Sequence, residues 1–286
     1  MVRVMVSLSV ILKNRLSMGP TLIMPDAFDA LSAKLIEAAG FEAVQCSGFS
    51  MACASGYPRE TNLSYSENME LTRKIVNAVR VPVMADCEDG FGDKAKLRQT
   101  IREFIRIGVA GINLEDQVLG RWDEAKDLVP FEEMVEKIRM ARAAAESEGH
   151  PDLVINARTD ALNVLSDREA ALAEACRRAR TYLEAGADLA FPTGVKTMAE
   201  VRRLRAEAGR SISIAAGLPY NLESLSLKEL KHLDIARISL PLTLLMAAIR
   251  GIKEALHHLV NNEDFKFLTA KGLLASGEDV AAIMGQ

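Results

Sequence analysis

Residues 81–93, VPVMADCEDGFGD, decide how the rest of the chain is read. An apolar run of strand character breaks there into Asp86, Glu88 and Asp89, followed by Gly90, Phe91 and Gly92. Strand side chains alternate between faces, so the pleat is expected to aim Asp86 and Glu88 one way and Cys87 the other. Two acids aimed at one point repel each other unless a cation or a proton sits between them, so a buried strand that ends this way predicts a metal. The glycines allow a sharp turn and a close backbone approach to a ligand. The plain alternative is an acidic loop after a buried strand.

Outward from this stretch the same unit recurs. Short apolar strands are expected at residues 21–24, 42–46, within 81–93, and at 111–114, 153–157, 189–191, 212–216 and 236–240. Helices are expected between them at about 30–39, 67–79, 94–107, 131–146, 168–184, 199–208 and 227–232, with a long apolar helix from about 242. Gly40 and Gly108 end two of them, as glycine does where the chain must leave a helix. Strands separated by helices run parallel with right-handed crossovers, and eight such units close into a (β/α)8 TIM barrel. The competing doubly wound sheet lacks its glycine-rich dinucleotide turn. The expected layout is an N-terminal extension at 1–20, the barrel at 21–260 and a helical tail at 261–286.

Composition agrees. A chain of 286 residues, 49% hydrophobic and 5% aromatic, supports one large core of aliphatic side chains. A formal charge of -4, with both signs mixed along the chain, gives no basic face for nucleic acid. Cys46, Cys53, Cys87 and Cys176 form no CxxC pair, which fits a reducing compartment and no disulfide framework. The four histidines fall away from the strand ends, so a histidine metal site or triad is not expected. No run reaches the roughly 18 apolar residues of a membrane span, and the N-terminal apolar run lacks a clear cleavage site, so a cytoplasmic protein is expected.

A barrel carries its chemistry where its strands end. At those ends stand Ser47, Gly48 and Phe49 after the second strand, Asp86 and Glu88 after the third, Glu115 after the fourth and Arg158 after the fifth. The three carboxylates are hard oxygen donors suited to Mg2+ or Mn2+, an ion that keeps several of its waters. Arg158 is expected to face them across the mouth and hold a substrate carboxylate or phosphoryl group with its planar fork. Backbone N–H groups of residues 47–49 could meet a developing oxyanion. Each residue also has a structural reading: an acidic loop for Glu115 and Asp116, an ion pair with Asp160 for Arg158, and a turn for SGF.

Several segments together resemble the isocitrate lyase and phosphoenolpyruvate mutase superfamily from Met24 to about Leu259. They are PDAFDALSAKLIEAAGFEAV, CSGF, VPVMADCEDGFGD, AGINLEDQ, INARTDAL and YLEAGAD. The resemblance implies a barrel whose eighth helix is exchanged between subunits of a dimer or tetramer, with Mg2+ at the site. It implies Asp86 as the direct metal ligand, Glu88 and Glu115 as holders of metal-bound water, and Arg158 as the substrate anchor. Ser47, Gly48 and Phe49 match the segment that binds the oxo acid. Lyases of isocitrate and methylisocitrate carry a KKCGH or KRCGH loop after the fourth strand. Here that loop is QVLGRWDEAKDLVP, without Cys or His, which argues against those two substrates. The lysine-rich loop of the phosphonomutases is missing too, GYPRE offers Arg59 and Glu60 where an Asp is expected, and Pro192 and Thr193 replace an acid or a His. The expected activity is a Mg2+-dependent lyase or decarboxylase on a small 2-oxo or 2-hydroxy carboxylate, through an enolate. Within the loop Arg121, Asp123, Lys126 and Asp127 are candidates to close over substrate. The alternatives are C–P bond chemistry, as a phosphoenolpyruvate phosphonomutase or a phosphonopyruvate hydrolase, and a non-catalytic oxo-acid binder.

Overall fold

Eight short runs of Val, Ile, Leu and Ala become parallel strands: β1 (Leu22–Ala27), β2 (Val44–Cys46), β3 (Val83–Asp86), β4 (Gly111–Glu115), β5 (Val154–Thr159), β6 (Leu189–Pro192), β7 (Ser213–Ala215) and β8 (Arg237–Leu240). The computed structural model of the protein describes residues 6–118, 127–262 and 265–285. Its helices are α1 (Leu8–Met18), α2 (Ala30–Ala38), α3 (Gly48–Ala54), α4 (Tyr65–Ala78), α5 (Lys94–Arg106), α6 (Phe131–Ser147) and α7 (Ala161–Val164). They continue with α8 (Arg168–Glu184), α9 (Met198–Ala208), α10 (Leu227–His232), α11 (Thr243–Asn262), α12 (Lys266–Ala270) and α13 (Gly277–Met284). The strands are ordered β6-β5-β4-β3-β2-β1-β8-β7, and a parallel bridge between Ala190 and Ile212 joins the two ends of the sheet. This is the expected (β/α)8 barrel.

Local chemistry explains where the helices start. Asp93 caps α5 by accepting from the Lys96 N–H at 2.9 Å, and Asp167 caps α8 through the Ala170 N–H at 2.7 Å. Ser64 with Glu67 and Thr197 with Glu200 form reciprocal capping boxes at α4 and α9. The outward faces of β3, β4 and β5 then pack on α5 and α6, where Ile101, Phe104, Ile112, Ile138 and Ile155 share one apolar layer. Cys87 is part of that layer, on the helix side as its position predicts.

The N-terminal segment, expected as an extension without assigned structure, forms α1. Leu12 and Leu16 pack with Leu22, Met24, Met84, Val154 and Leu189, so α1 closes the end of the barrel where the strands begin. Arg15 fastens it to Glu42 through two hydrogen bonds of 2.8 Å. Above this plug the interior turns polar. Arg237, wholly buried, donates to Gln45 Oε1 at 2.8 Å and Ser213 Oγ at 3.0 Å, and Asn156 Nδ2 donates to Asn113 Oδ1 at 2.6 Å. Asn113 and Asn156 precede Glu115 and Arg158 by two residues, so the pleat repeat carries the same inward direction up to the strand ends.

Candidate active site

The third strand stops at Asp86, two residues short of the Glu88 that an alternating reading of 81–93 places on it. Glu88 lies beyond it with a backbone φ of +48° and Phe91 with +62°, left-handed conformations that turn the chain out of a regular strand. Asp86 and Glu88 are therefore brought to one side by a turn, and the pleat does not do it. The turn is held by hydrogen bonds: the Cys87 N–H donates to Asn113 O, and the Glu115 N–H donates to Glu88 O, both at 2.9 Å.

Gly48 shows how close the two acids stand. A Cβ at this position would lie 2.1 Å from Glu88 Oε1 and 3.2 Å from Asp86 Oδ2, so only glycine leaves room for both. The Gly48 N–H donates to Asp86 Oδ2 at 2.9 Å, and the Ser47 N–H donates to Ala27 O at 3.4 Å. Those two N–H groups are thus already engaged, contrary to the expected oxyanion role. Ser47 Oγ caps α3 by accepting from the Ser50 N–H.

Arg158 stands beside Glu115, because β4 and β5 are neighbours in register, and does not face it across the mouth as expected. Its Nη1 lies 2.6 Å from Glu115 Oε2, while Nε and Nη2 donate to the two carboxylate oxygens of Asp160 at 2.8 and 3.2 Å. Burial alone would lower its pKa, but Asp160 and Glu115 outweigh that and raise it well above the usual value. The pairing with Asp160 and a place at the site turn out to be compatible. Asp160 is in turn held by Asn163 Nδ2 at 2.8 Å and Thr193 Oγ1 at 2.9 Å, and its pKa is lowered because these bonds and Arg158 together exceed the cost of burial.

The carboxylates behave differently. Burial, reinforced by the neighbouring acids, pushes Glu88 and Glu115 well above the ordinary range, and burial raises Asp86 too. Glu88 Oε2 and both carboxylate oxygens of Glu115 are buried with no hydrogen-bonding partner. A divalent cation fits these features, since it would supply the missing positive charge and its waters would donate to the orphaned oxygens. Among the described residues no three acids, histidines or cysteines converge as a ready-made direct cage. The arrangement therefore suits an ion held by few direct ligands and by water.

Asp86, Arg158, Ser47 and Phe49 line one cleft of about 460 Å³. Glu88 lines an adjoining cleft, Glu60 lines both, and Glu115 is 1% exposed behind Arg158. The GYPRE segment thus does bring an acid to the site. The cleft also includes Asp26, Asn113, Asn163, Thr193, Tyr220 and Ser239, which the sequence reading did not single out as site residues. Asp26 and Ser239 stand at the ends of β1 and β8, where the strand-end rule applied to all eight strands would have found them. Ser239 Oγ donates to Asp26 Oδ1 at 3.1 Å, and burial raises Asp26 to about 7. Arg121, Asp123 and Lys126 lie outside the described residues. Asp127 stands at the base of that loop, where its carbonyl accepts from the Val118 N–H at 3.0 Å.

The sequence model of the family described as phosphoenolpyruvate phosphomutase matches residues 12–260. The chain belongs to this family. Within the family it is 36% identical to the 2,3-dimethylmalate lyase of Eubacterium barkeri over 197 residues, covering 68% of this chain and 65% of that protein. It is 29% identical to the 2-methylisocitrate lyase of Aeropyrum pernix over 257 residues, covering 87% of this chain and 79% of that one. Among solved structures, phosphonopyruvate hydrolase in complex with oxalate and Mg2+ superposes with a TM-score of 0.84 at 25% identity, covering 98% of this chain and 95% of that one. Proteins of this phosphoenolpyruvate phosphomutase family thus include enzymes named for C–C and for C–P bond chemistry.

Proposed function

We propose that the chain is a Mg2+-dependent or Mn2+-dependent lyase that breaks the bond to C3 of a small 2-oxo or 2-hydroxy carboxylate through an enolate. The observation that carries this reading is a set of three buried acids, Asp86 and Glu88 against Gly48 and Glu115 beside Arg158, two of them with orphaned oxygens, next to an arginine held by Glu115 and Asp160. Asp86 would be the direct ligand of the cation, with Glu88 and Glu115 binding its waters. When bound, the cation supplies positive charge to the oxygens on which the enolate charge collects. Arg158 has five N–H donors. Two, on Nε and Nη2, donate to Asp160, and Nη1 stands in an ion pair with Glu115, which leaves N–H groups on Nη1 and Nη2 for a substrate carboxylate. Asp160, Asn163 and Thr193 fix the plane of that fork. The names of the relatives support the same class: lyases of 2,3-dimethylmalate and 2-methylisocitrate, and a hydrolase seen with oxalate and Mg2+.

Incubation of the Mg2+-loaded protein with oxaloacetate, 2,3-dimethylmalate, 2-methylisocitrate and phosphonopyruvate, followed by 1H and 31P NMR, tests the reading. Cleavage of a C–C bond is expected. A shifted phosphorus signal with no C–C cleavage would replace it with C–P chemistry. Asp86→Ala should abolish turnover and weaken Mg2+ binding while the fold persists; unchanged turnover would remove Asp86 from the site.

A homo-oligomer is part of the same proposal. Helix α11 turns Ile249, Ile252, Leu256 and Val260 outward in a stripe at helical spacing. This is the form expected of a last helix exchanged with another copy. Light scattering should report a dimer or tetramer.

A further inference from the structure

Asp116 follows the last residue of β4 and is wholly buried, with partners on β5, on α8 and in the segment before α6. Its N–H donates to Arg158 O at 3.2 Å, and its Oδ1 accepts from the Asp160 N–H at 3.0 Å. Its Oδ2 accepts from the Tyr182 hydroxyl at 2.7 Å and from Arg178 Nη1 at 2.9 Å, both on α8. Its carbonyl accepts from the Val129 N–H at 2.8 Å. Asp116 thus grips the end of β5 on both sides of Thr159, the stretch that carries the Arg158 and Asp160 side chains.

A buried Arg–Asp pair is a poor source of stability, because two charges must leave water and apolar side chains of like volume often do as well or better. Arg178 is nonetheless oriented from several sides. Its Nε donates to Glu174 Oε1 at 2.7 Å and its Nη1 to the Tyr182 hydroxyl at 2.9 Å. The Tyr182 ring stacks on Phe131 at a centroid distance of 6.2 Å, and the Arg178 guanidinium lies 5.8 Å from the same Phe131 ring. What this arrangement fixes is direction. Arg158 presents its remaining N–H groups in one plane only while the Asp160 carboxylate holds that plane. Asn163 and Thr193 grip the Asp160 side chain from the cleft, and Asp116 grips its backbone from the helix layer.

We infer that Asp116 is a positioning residue for the substrate anchor: it carries the rigidity of α8 through the Asp160 backbone to the plane of the Arg158 guanidinium. The inference rests on the reading of Arg158 as that anchor. A misplacement of about 1 Å away from the reacting atoms can lower turnover about a hundredfold, so a residue that touches no substrate can still set the rate.

Asp116→Asn tests this with almost no change of shape. Its one amide oxygen would turn to the hydroxyl and the guanidinium from α8, and its NH2 would then meet the Asp160 N–H donor against donor. The Arg158 Nε–H, which donates to Asp160 at 2.8 Å, gives a 1H–15N signal identified by its loss in Arg158→Lys. In Asp116→Asn its exchange with water should speed up about tenfold or more, the loosening expected when a hydrogen bond to a charged group is lost. Calorimetric titration of the Mg2+-loaded variant with oxalate should show about tenfold weaker binding for the same reason, with Mn2+ affinity unchanged. Tyr182→Phe spares the bonds from Arg178 and the Asp160 N–H, so it should lose stability and keep both readings of the wild type. Asp116→Glu keeps the charge that Arg178 requires on an arm one methylene too long; it should loosen the Arg158 signal too, and it serves where Asp116→Asn does not fold. An Arg158 signal that exchanges at the wild-type rate in a folded but destabilised Asp116 variant overturns the inference, since Asp116 would then serve the fold alone. Wild-type protein that binds Mn2+ but no oxalate counts instead against Arg158 as the anchor, while the exchange measurement still decides the role of Asp116.

Discussion

Gly48→Ala separates stability from metal chemistry in a single methyl group. Its Cβ would lie 2.1 Å from Glu88 Oε1, and such contacts do not persist below 3.0 Å, so the carboxylate must retreat by about 1 Å. The backbone has no reason to object, because Gly48 is not among the residues with positive φ and opens a helix, where alanine is preferred to glycine by up to about 1 kcal/mol. If Glu88 binds a cation's water as proposed, displacing it would remove a charge-assisted hydrogen bond worth about 1.5–3 kcal/mol. Mg2+ or Mn2+ should therefore bind roughly tenfold to a hundredfold more weakly, the usual range for a group that acts through a metal's outer shell. The assay is a Mn2+ titration followed by electron paramagnetic resonance, beside thermal denaturation of the metal-free protein. Wild-type affinity in the variant would refute the placement of Glu88. A large drop in metal-free melting temperature would refute the claim that only the carboxylate moves.

Three further perturbations test other parts of the structure. Arg158→Lys keeps the charge but loses the fork that holds Asp160 and the substrate together, so kcat should fall and KM rise, about a hundredfold in kcat/KM by steady-state kinetics. Tyr182→Phe removes the 2.7 Å hydrogen bond from its hydroxyl to Asp116 Oδ2 in a buried pair that Arg178 completes. It should cost about 1.5–3 kcal/mol in urea unfolding and leave metal affinity unchanged. Glu200 is burdened by burial, but its bonds to Arg168, Lys196 N and Thr197 N outweigh this and lower its pKa. A lowered folded pKa contributes stability above the unfolded value of about 4.3 and loses it as pH falls through the folded value. The stability gap between wild type and Glu200→Gln should thus be full at neutral pH and close in the acid range below about pH 4.

All eight strands can be read from the chain, because each is a short apolar run between helical segments, and their ends name Asp86, Glu115 and Arg158. Other features depend on information that spacing does not hold. Helix α3 escapes because seven residues, GFSMACA, are too few to show a periodicity; it forms because Ser47 caps it and Met51 and Ala52 are buried. The approach of Glu88 to Asp86 depends on a left-handed backbone at a non-glycine residue, which nothing in CEDG announces. The pairing of Arg158 with Glu115 follows from the adjacency of β4 and β5, so the parallel order already contained it. The place of Phe191 and Leu218 in the cleft was out of reach, since they look like ordinary core residues until the barrel closes.

Arg237 gives the mouth a counterion that is written into the chain. Burial lowers its pKa to about 10, which still leaves it protonated at neutral pH, and its charge acts on Asp26 and Asp86 from below. Proteins whose metal ligands repel one another without internal compensation couple metal uptake to folding. Here the barrel carries part of the compensation itself, so folding and loading become separate events. A chelator should then abolish the proposed cation-dependent turnover without unfolding the protein.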